Sequence, residues 1–112
     1  MNQWDAAAHG RVARMKSLLK LSHINVNAMD LFQMTALDYG VLNGQLEVVK
    51  LLAESGADVN KKTDGETPIF KAIAQGNRKM VKLLLDLGSN TKITRTPTKY
   101  EGNVFLFIGN LW

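Results

Sequence analysis

The 112 residues suffice for one domain, and a share of 46% hydrophobic against 21% charged residues is that of a chain that buries a core. Cysteine is absent, which excludes disulfides, a thiolate nucleophile and Cys-ligated zinc. The longest apolar run, Val104 to Ile108, is far shorter than the roughly 20 residues of a spanning helix, and Met1–Asp5 lack the basic start and apolar stretch of a secretory signal.

A cytoplasmic or nuclear, monomeric protein without a membrane segment is therefore expected. The formal charge of +4 is uneven. Residues 1–60 hold five basic and six acidic side chains, net −1, and residues 61–112 hold nine and four, net +5. The basic residues (Lys61, Lys62, Lys71, Arg78, Lys79, Lys82, Lys92, Arg95, Lys99) are dispersed with no interleaved aromatic platform. They read as solvated positions, which disfavours nucleic-acid binding.

The chain repeats itself. The first copy holds Asp5–Gly10, Met15-Lys16 and Leu18-Leu19, and ends in Asn25-Val26-Asn27. Thr35–Leu52 then aligns without a gap on Thr67–Leu84, and both continue to a glycine, Gly56 and Gly88. Each unit is predicted to be two short helices. Thr35 and Thr67 are the expected N-caps of the first helix, and Pro68 takes the first helical position, where it forfeits no bond. Asp38, three residues after Thr35, is placed to bond back to the cap.

Gly10, Gly44 and Gly76 end the first helix of each unit, where a left-handed turn is cheap only for glycine or asparagine. The second helices carry wide apolar stripes (Leu46, Val49, Leu52; Met80, Val81, Leu84) opposite charged residues, and Gly56 and Gly88 stop them. Small residues at Ala6, Ala7, Gly40, Ala72 and Ala74 would let neighbouring helices approach closely. No unit can bury its stripe alone, so stacked copies must supply the core.

These units resemble the ankyrin repeat, whose 33-residue signature is Thr-Pro-Leu-His-x-Ala. Thr67-Pro68-Ile69-Phe70-Lys71-Ala72 matches it with Phe for His, and Val48–Asn60 is close to the consensus of the outer helix and its exit. Ala36 and Asp38 replace the proline and histidine of the middle unit, and Gln33 stands where Gly65 keeps the hairpin glycine. The resemblance implies an all-α solenoid of antiparallel helix pairs with β-hairpin-like turns. Its repeats fall at about 1–29, 30–61 and 62–94 within residues 1–90, followed by an irregular tail, 91–112. The first unit is expected to be the N-terminal cap, with Arg11, Arg14, Lys16 and Lys20 on its outer face.

The uncharged, aromatic run Val104–Trp112 does not continue the pattern. It reads as a flap over the end of the stack, as the non-repeat ending of a fragment or truncated variant, or as a short interaction motif, and it carries a self-association risk.

No catalytic motif, phosphate loop or metal-ligand spacing is present around His9, His23 or the acidic residues, so no enzyme, cofactor or metal is expected. The resemblance implies a scaffold that binds a partner protein on its concave face. By match to the variable positions, the candidate contacts are Leu31, Phe32, Met34, Leu42 and Asn43, then Thr63, Asp64, Glu66, Ala74 and Gln75. Leu31, Phe32 and Met34 either anchor a partner or pack against neighbouring hairpin tips. The family also implies hydroxylation of the asparagine closing Leu-x5-Asp-Val-Asn, here Asn60, with Asn27 in a looser match. The alternatives are a polyanion-binding or RNA-binding surface, and a piece of a longer array with no activity of its own.

Overall fold

The computed structural model describes residues 2–88. Among them are six helices: α1 (Gln3–Ala8), α2 (Val12–Leu19), α3 (Ala36–Leu42), α4 (Leu46–Glu54), α5 (Pro68–Ala74) and α6 (Arg78–Asp86). They pair as α1–α2, α3–α4 and α5–α6. The pairs stack so that α1, α3 and α5 form an inner row and α2, α4 and α6 an outer row. The expected flap, fragment ending or motif at 91–112 lies outside the described residues.

Each helix is too short to be stable in isolation, so local signals position it and packing holds it. At Thr35 the reciprocal box is complete. Its hydroxyl accepts from the Asp38 amide at 3.1 Å, and Asp38 Oδ2 accepts from the Thr35 amide at 3.1 Å. Thr67 departs from expectation: its hydroxyl makes no cap bond and is buried without a partner among the described residues. Phe70 fills the position of Asp38 and has no acceptor to return a bond, so the reciprocal box seen at Thr35 has no counterpart here.

Every inner helix ends in the same way. After α3 the Gln45 amide donates to Gly40 O at 2.8 Å and the Gly44 amide to Val41 O at 3.2 Å. That double bond pattern requires a left-handed residue between, and Gly44 supplies it at φ +68°. The pattern recurs after α1 at Gly10 and after α5 at Gly76.

The core is one continuous cluster shared between units. Met15, Leu37, Leu52, Ile69, Met80 and Leu84 are fully buried, with Ala6, Ala7 and Ala72 at the inner contacts. Gly40 is buried as expected, but Ala74 is exposed. Ala74 is the last residue of α5. Arg11, Arg14, Lys16 and Lys20 lie exposed on the first pair. Units are also tied by side chains: Gln45 Nε2 donates to Ala8 O at 3.3 Å and Gln75 Nε2 to Leu42 O at 2.8 Å.

Candidate functional site

Between the inner row and the preceding outer helices the chain forms hairpin fingers, and two are built differently. In the last unit Asp64 (φ 55°) and Gly65 (φ 78°) make a two-residue turn, closed by paired bonds between Thr63 and Glu66. In the middle unit the loop is one residue longer. The Asp30 amide donates to Met34 O and the Gln33 amide to Asp30 O, each at 2.9 Å, so Gln33 takes the left-handed position at φ 60°.

Asp30 braces the longer finger. Its Oδ1 accepts from the Phe32 and Met34 amides at 2.9 and 3.1 Å, and its Oδ2 accepts a short bond from the Tyr39 hydroxyl on α3. Burial works to raise the Asp30 carboxyl, but the bonds from Tyr39, Met34 and Phe32 outweigh it and hold the group below the ordinary carboxylate value. The same bond, then burial and the charges of Asp30, Asp5 and Asp38, push the Tyr39 phenol up to about 12.

This bracing holds Leu31 and Phe32 at the finger tip in water, 99% and 80% exposed. They overhang a groove of about 570 Å³ between α1 and the finger. Trp4 and Tyr39 line it with Phe32, Met29, Asp5 and Asp30. Trp4 is fixed by its indole N–H, which donates to Ala28 O at 3.1 Å.

Of the ten residues expected to touch a partner, the groove gathers only Leu31 and Phe32. Met34 and Glu66 are half-buried at finger bases and Asp64 is exposed at a tip. Leu42, Asn43, Ala74 and Gln75 form a separate ledge at the ends of α3 and α5, with Asn43 Nδ2 donating to Tyr39 O at 2.9 Å. Thr63 is a correction. It is 4% exposed, and its hydroxyl donates to Asp38 Oδ2 at 2.7 Å, so it joins units rather than facing a partner.

Lys71 is a second correction, to its reading as a solvated charge. It is 7% exposed, and its ammonium donates to Thr63 O at 2.8 Å and Glu66 O at 3.2 Å, stapling the last finger onto α5. Asn27 and Asn60 recur as ties: Asn27 Oδ1 accepts from the Asp58 amide at 2.7 Å, and Asn60 Nδ2 donates to Gly88 O at 3.4 Å. Asn60 is exposed and Asn27 half-buried.

Trp4, Asp5, Met29, Asp30 and Tyr39 were not among the sequence candidates. One signal was available. Counted back from the register glycines Gly10 and Gly44, Asp5 and Tyr39 stand at equivalent inner-helix positions, which side-by-side stacking brings together.

Among the described residues no helix is long and apolar enough to cross a membrane, and no three His, Asp or Glu converge as metal ligands. A stacked solenoid of helix pairs joined by hairpin fingers defines a repeat scaffold. Residues 4–96 match the family model for ankyrin repeats in three copies, and the chain belongs to that family.

The ankyrin repeat domain of human ASB11 superposes with a TM-score of 0.78 at 28% identity, over 98% of this chain and 54% of that one. An ankyrin repeat protein of fowlpox virus is 38% identical over 57% of this chain and 11% of its own length. Mouse protein phosphatase 1 regulatory subunit 27 is 28% identical over 77% of this chain and 56% of its own. The chain thus spans from about a tenth to just over half of these relatives. Ankyrin repeats are in general protein-interaction modules.

Proposed function

We propose that this chain is a non-enzymatic protein-interaction module of the cytosol or nucleus, built of units at about 1–29, 30–61 and 62–94, that docks a partner on its concave side. Leu31 and Phe32 are its anchors, helped by Met34, Asp64 and Glu66 on the fingers and by Leu42, Asn43, Ala74 and Gln75 on the ledge. One observation carries this reading: two large apolar side chains stand almost fully in water on a braced finger above an aromatic-lined groove. A tip that packed against its neighbours would bury them. A preformed surface loses little conformational freedom on binding.

Phe32→Ala is expected to weaken partner binding by about 1–2 kcal/mol and to leave thermal stability within about 0.5 kcal/mol of the parent. Affinity capture with and without residues 91–112, followed by calorimetry on the captured partner, measures the first, and thermal melts measure the second. A stability loss that matched the affinity loss would reassign Phe32 to packing. The acidic lining of the groove speaks against a polyanion there. Binding of RNA or heparin to the chain, weakening steeply as salt rises, would favour the polyanion reading.

Hydroxylation of Asn60, and of Asn27, is part of the proposal. Peptide mapping of protein from its native host tests it, and an unmodified Asn60 rejects it.

A further inference from the structure

Resting on the reading that the groove takes a partner, we propose that the groove between α1 and the Asp30–Met34 finger selects a peptide segment in which an arginine or lysine adjoins a bulky apolar side chain. Charge sets the preference. Among the described residues that line the groove are two acids, Asp5 and Asp30, and no basic residue, although the chain as a whole carries +4. A cationic segment is drawn to this spot and an anionic one repelled from it.

The two acids have different parts. Both oxygens of Asp30 are engaged by donors of the finger and by Tyr39, so its charge is fixed in place and not a movable ligand. Asp5 is solvent-exposed. It lines the groove and keeps its side chain in water, so its carboxylate is the one an incoming guanidinium can meet.

The rings complete the site. Trp4, Phe32 and Tyr39 line the same groove as Asp5 and Asp30, and a cation over an aromatic face is attracted by the ring quadrupole. Arginine suits this better than lysine, because its planar fork can stack on a ring and still bond a carboxylate in two places. The neighbouring apolar side chain then lies on Met29, Leu31 and Phe32, anchoring what the charge has oriented.

The test uses the full chain with Trp112→Phe, which leaves Trp4 as its one indole. A random dodecapeptide library displayed on phage is selected against it, and enriched peptides are titrated by Trp4 fluorescence. The expected result is enrichment of Arg or Lys next to Leu, Phe, Met or Trp. Replacing that basic residue by Glu should weaken binding about tenfold or more, and Asp5→Asn should weaken it roughly three- to tenfold with an unchanged far-ultraviolet spectrum.

Enriched peptides with no basic residue that still depend on Phe32 would overturn the charge preference and leave the docking surface standing. Peptides indifferent to both Phe32→Ala and Asp5→Asn would overturn both. Failure to enrich any peptide, or a concentration-dependent dimer abolished by Phe32→Ala, would also overturn the proposed occupant.

Discussion

The Thr63 hydroxyl, at the base of the last finger, donates to Asp38 Oδ2 in the preceding unit at 2.7 Å, and both residues are buried. The same carboxylate oxygen closes the cap at Thr35. One side chain therefore starts α3 and joins two repeats. Asp38→Ala should cost about 2 kcal/mol, since it removes the cap partner and strands a buried hydroxyl. Thr63→Val should cost about 1 kcal/mol, and the double variant less than the sum. Urea unfolding of the three variants checks this; strict additivity would show the two residues to be uncoupled.

The Tyr39–Asp30 bond makes stability depend on pH at both extremes. Asp30 binds its proton more weakly folded than unfolded, so its contribution is complete above the ordinary carboxylate range and fades as pH falls through its lower folded value. Tyr39 holds its proton more tightly folded, up to about 12 against 10.0. Stability is therefore expected to fall as pH rises from 10.0 toward 12, where the unfolded phenol ionises first. Tyr39→Phe should flatten the alkaline limb and weaken the acid one. Denaturant melts across the two windows measure both.

Gln33 occupies the left-handed region at φ 60°, where the next finger has Gly65. A non-glycine residue there costs about 1–2 kcal/mol, partly offset because glycine loses more freedom on folding. Gln33→Gly is expected to stabilise the chain by about 0.5 kcal/mol, read as a raised urea midpoint with an unchanged slope. A loss would mean that the Gln33 side chain supports the finger in its own right.

Gly40 and Gly76 should respond to alanine for different reasons. At Gly40 a Cβ would lie 2.9 Å from Val49 Cγ2, and Val49 is fully buried and cannot swing away. The helix gain of up to about 1 kcal/mol is outweighed by repacking, for a net loss of about 1 kcal/mol. At Gly76 nothing lies within 4 Å, but φ is +70°, so Gly76→Ala should lose about 1–2 kcal/mol from backbone conformation alone. Adding Val49→Ala should relieve the first cost and leave the second unchanged.

Much of the scaffold was legible in the sequence because its signals act over a few residues. Thr35 with Asp38, Pro68, and the turns at Gly10, Gly44 and Gly76 each state where a helix starts or stops without reference to the rest of the chain. Thr67 misled: it stands at the cap position of α5, but its hydroxyl makes no cap bond. Leu31 and Phe32 were legible as unusual tips, whereas the choice between anchoring and packing was not, because exposure is a property of the neighbours.

By itself, then, the sequence determined three helix pairs, their register and the need to stack, since capping, turn conformation and apolar spacing are local chemistry repeated at a near-constant interval. Only the tertiary structure decided which side chains meet across units. It joined buried Thr63 to Asp38, pinned Lys71 to the last finger, braced Asp30 with Tyr39, and brought Trp4 and Asp5 of the first pair beside Phe32 of the next. Those contacts depend on how far one pair is displaced and rotated on its neighbour. That relation is set by the packing of the shared core as a whole, and no spacing within a single repeat records it.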